Sequence, residues 1–175
     1  MKIKPYHIIC LGIPFLSILQ LSPIRIYYNH TPSMPVGFYL VNKWYLNLNK
    51  NDTVMICLND DIATYAVDRN YIKKINPSIC KNGLEPLVKK IYGVPYDIYQ
   101  VKYNQSFVNN QLVPNSYIHQ RDQNGRPLFH AYSQIVKHNQ YLIFGDSINS
   151  FDSRYFGAIN ETNILGKTYY IGNIP

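Results

Sequence analysis

From residue 30 onward, the apolar residues of this chain occur in short runs separated by Asn, Asp, Gly and Pro. The runs are rich in aromatic and β-branched residues, as is typical of short strands. A hairpin is indicated by VNNQLVP and a turn by the Asn-Gly of RDQNGRPL, whereas only DIATYAVDRNYI has room for one or two helical turns. The pattern predicts a mostly β domain, a coiled roll built from the runs GFYLVNKWYL, DTVMICL, PLVKKIYG, DIYQVKYN, QSFVNNQLV, QYLIFGD and KTYYIGNI.

The N-terminal segment has a different character. Lys2 and Lys4 precede an apolar stretch from about residue 8 to residue 24. This length is just short of the roughly 20 residues that span a bilayer, and Pro14, Ser17 and Gln20 dilute its apolar character. A cleaved signal peptide, an uncleaved signal anchor and a buried core helix are the three interpretations, but no small-x-small cleavage site follows the stretch. We therefore expect residues 1–28 to form a membrane anchor with one transmembrane helix, and residues 29–175 to form an exported domain.

Composition excludes several classes of protein. The chain of 175 residues carries a net charge of +7, but its basic residues are scattered and form no stripe or known nucleic-acid motif. Frequent Asn, Ile, Lys and Tyr are what an AT-rich coding sequence would give. Three cysteines and five histidines lack the spacing of a metal site. We expect one globular domain that uses no nucleic acid, metal or cofactor.

Ser33 stands in an unusual setting, the stretch NHTPSMPVGFYLV. Pro32 precedes it and Pro35 follows two residues later, and prolines restrict both their own φ and the residue before them. Ser33 therefore lies on a stiff, non-helical segment. The stretch is either a rigid turn that enters a strand or the support of a nucleophile, and it does not by itself decide between them.

Two lysines interrupt the apolar run LEPLVKKIYGVPYD. Strand alternation puts Lys89 on one face and Lys90 on the other, so one of them points toward the interior. Apolar surroundings disfavour the charged amine and lower its pKa. A fall from about 10.4 to near 7 requires roughly 4.6 kcal/mol, so only a well-packed site would sustain it. A neutral lysine can act as the base for a serine, but a lysine that reaches solvent is the usual alternative.

The loop GDSINSFDSRYFG follows the apolar run YLIF and concentrates polar side chains. Two interpretations fit it. Asp152 and Arg154 would form an ion pair within an Asx-rich turn, or the loop would hold hydrogen-bonding groups against an active site.

Taken together, these stretches resemble the signal peptidase I clan of Ser/Lys proteases, and most closely its TraF-type branch from conjugative DNA transfer. The resemblance runs in order from about residue 29 to the end, and it implies the coiled β-roll shared by signal peptidases and LexA-type repressors. The family usually reads Gly-x-Pro-Gly-Asp after the lysine, whereas this chain has Tyr96 in place of the second glycine. The matching motifs are SMPVGFY, KKIYGVP, NSFDSRYFG, CLND and CKNGLEPLVK.

The resemblance implies a role for residues in each motif. Ser33 would be the nucleophile and Lys89 the general base. The backbone N–H of Ser33 and the hydroxyl of Thr31 would form the oxyanion hole. The last motif supplies the remaining roles: Ser150 would orient the lysine amine, Arg154 would brace the site, and Asp152 is counted with the catalytic set.

These roles imply a membrane-anchored serine endopeptidase, with its catalytic domain on the outer face of a bacterial inner membrane. Its partners would be membrane lipid and an exported precursor, such as a conjugative pilin cut after a small residue. Hydrolysis and ring closure would start from the same acyl-enzyme, and the sequence does not choose between them. In an exported domain, Cys57 and Cys80 could form a disulfide that closes a loop of roughly 23 residues and adds about 3 kcal/mol.

Two other interpretations compete with this one. A self-cleaving repressor uses the same dyad but is soluble and associated with DNA, which the apolar N-terminus argues against. A non-catalytic, pilus-associated binding domain would use the many tyrosines as an interface and Ser33 as a turn. The second interpretation predicts that removing Ser33 or Lys89 leaves function intact.

Overall fold

A computed structural model of the chain describes residues 23–44 and 47–173. All named strand pairs are antiparallel. The helices and strands, in chain order, are β1 (Ile24–Asn29), β2 (Gly37–Asn42), β3 (Thr53–Ile56), α1 (Asp60–Asp68), β4 (Leu87–Gly93), β5 (Ile98–Lys102), β6 (Gln105–Val108), β7 (Gln111–Tyr117), β8 (Gln134–Ile135), β9 (Gln140–Phe144), α2 (Ser153–Phe156), β10 (Ile159–Asn160) and β11 (Ile164–Gly172), with a 3₁₀ turn at Glu161–Asn163.

Two sheets make up the fold. The larger has the strand order β1-β2-β11-β3-β4-β9-β10, and the smaller has the order β7-β6-β5-β8. These strands confirm the prediction of a mostly β domain. No helix of the described residues is long and apolar enough to cross a membrane. Residues 1–22 of the expected anchor lie outside the described residues, and residues 24–28 belong to strand β1.

Local sequence signals account for the turns and for the longer helix. Asn109 and Asn110 join β6 to β7 with positive φ angles of 50° and 63°. This is the conformation that asparagine tolerates in a tight hairpin. Helix α1 begins after Asn59, whose side-chain oxygen accepts a hydrogen bond from the N–H of Ile62. Its nine residues make somewhat more than two turns, where the sequence predicted one or two.

Strand β4 lies inside the larger sheet, between β3 and β9. Leu87 and Ile91 pack into the main hydrophobic core, while Val88 packs into a second cluster with Met55. Because Lys89 is two residues from both Leu87 and Ile91 along the strand, its side chain lies on the same face as theirs. The side chain of Lys89 is therefore buried next to aliphatic side chains of the core.

Candidate active site

The loop that carries Ser33 connects β1 to β2 and is held by a single buried amide. Nδ2 of Asn29 donates to the carbonyl oxygens of Thr31, Met34 and Pro35, at 2.9, 3.2 and 3.1 Å. Its Oδ1 accepts from the backbone N–H of Thr31 at 3.2 Å and from the Thr31 hydroxyl at 2.9 Å. Asn29 thus satisfies polar groups that a proline-rich loop cannot pair internally. No local sequence pattern predicts this role for Asn29.

The backbone of Ser33 is fixed from the other side by the loop after β9. The N–H of Asp146 donates to the carbonyl of Ser33 at 2.6 Å. Gly145 makes this approach feasible, because a Cβ at that position would lie 2.7 Å from the Ser33 carbonyl oxygen and 2.4 Å from Oγ of Ser150. The serine loop and the final polar loop therefore close on each other.

Lys89 meets Ser33 in the interior. Its side chain is only 1% exposed, and Nζ donates to Oγ of Ser33 at 2.7 Å. The pKa of Lys89 is lowered from 10.5 to about 8: burial is the largest cause, Asp152 and Asp146 partly oppose the fall, and Arg154 adds to it. About half of the amine is then neutral at pH 8, so a proton acceptor lies within hydrogen-bond distance of a hydroxyl.

The second lysine of the pair has a different environment. Lys90 is half-buried on the opposite face of β4, and its Nζ lies 6.0 Å from the centre of the Tyr92 ring. The structure therefore brings Lys89, and not Lys90, to Ser33.

Two donors near Ser33 are relevant to a developing negative charge. Oγ1 of Thr31 lies 3.1 Å from Oγ of Ser33 and donates its proton to Asn29. The N–H of Ser33 makes no hydrogen bond within the described ranges. A free N–H and a nearby hydroxyl are the groups that can stabilise an oxyanion, although the Thr31 hydroxyl would have to rotate away from Asn29 to take part.

Asp152 and Arg154 form a fully buried ion pair behind the site. Nε and Nη2 of Arg154 each donate to the Asp152 carboxylate at 2.8 Å, and the N–H of Gly145 donates to it at 2.9 Å. The guanidinium also donates through Nη1 to the carbonyls of Asn115, Tyr117 and Ile148. The pair joins β7, the end of β9 and the final loop. Neither side chain hydrogen-bonds to Ser33 or Lys89.

Ser150 lies in the same loop and is 2% exposed. Its Oγ has no hydrogen-bond partner among the residues that the structure describes. The hydrogen bond from Ser150 to the lysine amine, which the resemblance implied, is therefore not formed in this conformation.

A cleft of about 700 Å³ opens beside Ser33 and Lys89. Besides the predicted site residues, it is lined by segments that the sequence did not single out: 69–72, which follows α1, and 121–124, which follows β7.

Cys57 and Cys80 form a disulfide, and the segment between them includes α1 and residues 69–72. This bond closes the part of the chain that supplies one wall of the cleft.

Tyr96 adopts a φ of 73° in the turn between β4 and β5. This left-handed conformation is the one that favours glycine, the residue that the family's motif has here. The backbone N–H of Tyr96 donates to the carbonyl of Val136 at 2.8 Å, and its ring is 71% exposed. The turn therefore keeps its geometry with a tyrosine whose side chain points outward.

No group of three His, Cys, Asp or Glu residues that could hold a metal ion occurs within 23–44 and 47–173.

Comparison with known proteins relates this site to one family. The family described as signal peptidase, peptidase S26, matches residues 3–171. A probable conjugal transfer protein TraF of Sinorhizobium fredii is 32% identical over 139 residues, which cover 79% of this chain and 72% of that protein. A plasmid transfer protein TraF of Escherichia coli is 31% identical over 140 residues, covering 78% and 76%. A probable signal peptidase I-2 of Synechocystis is 30% identical over 107 residues, covering 58% and 46%.

Proposed function

The chain belongs to the signal peptidase S26 family, and we propose that it is a serine endopeptidase in which Ser33 and Lys89 form a Ser–Lys dyad. One observation carries this proposal: the buried amine of Lys89 lies 2.7 Å from the hydroxyl of Ser33. Burial is the main cause that lowers the pKa of the amine toward the range in which it can accept a proton. Burial of a lysine costs free energy of folding, and a lysine without a role in the site would normally keep its amine in solvent.

In the acylation step, Oγ of Ser33 attacks the carbonyl carbon of the scissile bond while its proton passes to the neutral Nζ of Lys89. The tetrahedral intermediate then collapses, the C–N bond breaks, and Lys89 returns the proton to the leaving amine. An acyl-enzyme remains on Ser33. Attack by water gives hydrolysis, whereas attack by an amine of the same substrate closes a ring.

The oxyanion of this intermediate would be held by the N–H of Ser33 and the hydroxyl of Thr31. The first group is unpaired in the described part of the chain, and the second needs only a rotation of its O–H about the Cβ–Oγ1 bond. Such a donor contributes roughly 3 kcal/mol to transition-state stabilisation. Ser150, Asp152 and Arg154 would shape the site around Lys89, with the ion pair as its rigid base.

The relatives' names direct the choice of substrate. Two of them are conjugal or plasmid transfer proteins and one is a signal peptidase I. We therefore infer that the substrate is an exported precursor, such as a pilin subunit, cut after a small residue. The N-terminal segment would anchor the enzyme in the bacterial inner membrane, with the domain from residue 29 on the outer face near lipid. The Cys57–Cys80 disulfide agrees with an oxidising compartment.

The test is processing of a candidate pilin precursor by membranes that carry wild type, Ser33→Ala, Lys89→Ala or Lys90→Ala, with mass spectrometry of the product. We expect loss of processing in the first two variants and retention in the third, which removes the same charge from the neighbouring position. A product lighter by one water than the linear form would identify ring closure. Normal processing by Ser33→Ala would rule the dyad out and leave the non-catalytic binding domain as the better interpretation.

A further inference from the structure

The wall of the cleft that the dyad does not use is rich in positive charge. The turn at 121–127 packs against the segment that follows α1, and together they bring Arg69 and Arg126 to one carboxylate, that of Asp122, with Arg121 beside them on the cleft wall. Among the described residues that line the cleft, Asp122 is the one acid. The wall thus carries more positive than negative charge.

The carboxylate of Asp122 is fully occupied within its own surroundings. Oδ2 accepts from the hydroxyl of Tyr71 at 2.6 Å and from Nε of Arg126 at 2.7 Å, and Nη1 of Arg69 lies 3.5 Å away. Oδ1 accepts from the backbone N–H groups of Asn124 and Arg126. Asp122 therefore fixes the turn against the segment after α1, and its single charge offsets one of the two arginine charges that it contacts.

Arg121 is left outside this network. Its guanidinium makes one hydrogen bond, from Nη1 to the carbonyl of Gly125 at 2.7 Å, and no ion pair among residues 23–44 and 47–173. A guanidinium offers five N–H donors in a planar fork that matches a carboxylate. Most of that fork remains free at the mouth of the cleft.

His119 lies two residues before Arg121 and lines the same cleft. Its backbone N–H donates to the Tyr155 hydroxyl at 3.3 Å. Nε2 of the ring is buried and has no hydrogen-bond partner, and Nδ1 makes no hydrogen bond to another described residue. One wall thus presents an imidazole and a guanidinium, both able to donate to an anion and neither with an anionic partner of its own.

We propose that Arg121 and His119 form a carboxylate-binding subsite of the cleft, which selects protein substrates that carry an acidic group near the scissile bond. The inference rests on the proposed function, because it takes the cleft beside Ser33 and Lys89 as the place where substrate binds. The carboxylate belongs either to an acidic side chain or to the end of the substrate chain. A charge-assisted fork of this kind favours the acidic substrate by roughly tenfold.

The experiment uses the full chain in detergent and alanine-rich synthetic peptides with a central Ala–Ala bond. One glutamate is placed at successive positions on either side of the bond, with glutamine at the same position in the matched peptide, and all C-termini are amidated. Peptides without glutamate but with a free C-terminal carboxylate form a separate arm. The variants are Arg121→Gln, Arg121→Lys and Lys137→Gln, the last removing an exposed charge outside the cleft.

We expect wild type and Lys137→Gln to cleave one glutamate peptide, or the free-acid peptide, about tenfold faster than its uncharged match, judged by kcat/KM. The ratio should fall to about one in Arg121→Gln and recover only in part in Arg121→Lys, which keeps the charge but lacks the bidentate fork. The arm that responds identifies the source of the carboxylate. No preference in wild type, or an unchanged preference in Arg121→Gln, would overturn the subsite.

Binding of the same peptides to the Ser33→Ala chain, followed by fluorescence anisotropy, separates this inference from the proposed function. A glutamate preference that Arg121→Gln abolishes on the Ser33→Ala background supports the subsite even if peptide cleavage proves independent of Ser33. Cleavage that requires Ser33, combined with equal binding of glutamate and glutamine peptides, refutes the subsite and leaves the peptidase proposal standing.

Discussion

Nζ of Lys89 lies 2.7 Å from Oγ of Ser33, although the two residues are 56 positions apart in the chain. Strand pairing does not bring them together, because β11 and β3 lie between β2 and β4 in the larger sheet. The contact depends on the loop before β2. Asn29 holds that loop from within, and Asp146 holds it from the final loop.

The pH dependence of activity should follow the amine of Lys89. Its pKa of about 8 leaves about one tenth of the amine neutral at pH 7 and about one hundredth at pH 6. Because the base must be neutral to accept the serine proton, kcat/KM should rise about tenfold per pH unit up to near pH 8 and then level off. Initial rates of peptide cleavage between pH 5.5 and about 9.5 measure this profile. A rise that continues toward pH 10 would mean that burial does not lower the pKa of Lys89.

Replacing Lys89 with methionine should abolish activity and stabilise the fold. The folded-state pKa of about 8 is below the unfolded value of 10.5, so the unfolded chain binds more protons between these values. The penalty for burying the charged amine, about 3 kcal/mol, is therefore fully present below pH 8 and disappears as pH rises toward 10.5. Lys89→Met removes this penalty but also loses the hydrogen bond to Ser33, which is worth about 1 kcal/mol. We therefore expect the substitution to raise the free energy of unfolding by about 2 kcal/mol at pH 6.

Urea unfolding at pH 6 and pH 10 tests this expectation, with Lys90→Met as the matched control. The gain from Lys89→Met should shrink at the higher pH, while Lys90→Met should show no comparable change with pH. Destabilisation by Lys89→Met at pH 6 would contradict the account.

Thr31 provides a test of the oxyanion hole. Thr31→Val keeps the shape of the side chain but removes the hydroxyl near Ser33, and we expect kcat to fall about a hundredfold with little change in KM. Thr31→Ser retains the hydroxyl and should recover most of the rate. A loss smaller than about threefold in Thr31→Val would mean that the hydroxyl only serves Asn29 and the loop.

Asp152→Asn should destabilise the protein strongly, because it leaves the guanidinium of Arg154 buried without a counter-charge. Both side chains are completely inaccessible to solvent. Breaking a buried ion pair by removing one partner costs about 3–5 kcal/mol. Urea unfolding measures the loss, and Asp68→Asn, an exposed substitution at the last residue of α1, serves as the control. Wild-type stability in Asp152→Asn would show that the pair is not needed to hold the final loop.

Local features of this fold could be predicted from the sequence, whereas contacts between distant loops could not. The Asn109–Asn110 hairpin is encoded in adjacent residues, so its turn follows from their tolerance of positive φ. Strand alternation placed one lysine of the pair inside, but it could not choose Lys89, because that choice depends on which face of β4 meets the core.

The wall of the cleft also contains contacts that could not be predicted from the sequence. Tyr71 and Asp122 are hydrogen-bonded across 51 positions of the chain, and no local pattern marks either residue as a partner of the other. No local pattern marks Asn29 either, yet its amide holds the serine loop. These roles arise from tertiary packing, which a single sequence does not specify residue by residue.

The disulfide between Cys57 and Cys80 should stabilise both the fold and the cleft. The two cysteines are 23 positions apart, and the chain-entropy estimate for such a loop is about 3 kcal/mol. The bonded segment carries Tyr71 and Arg69, which meet Asp122 on the cleft wall. We expect Cys57→Ser/Cys80→Ser to lower the free energy of unfolding by about 3 kcal/mol and to raise KM more than it lowers kcat, because the wall is loosened while Ser33 and Lys89 remain in place. Urea unfolding and peptide kinetics measure both effects, and the wild type is studied with and without reductant. Equal stability of the double variant and the oxidised wild type would show that the disulfide does not stabilise the fold.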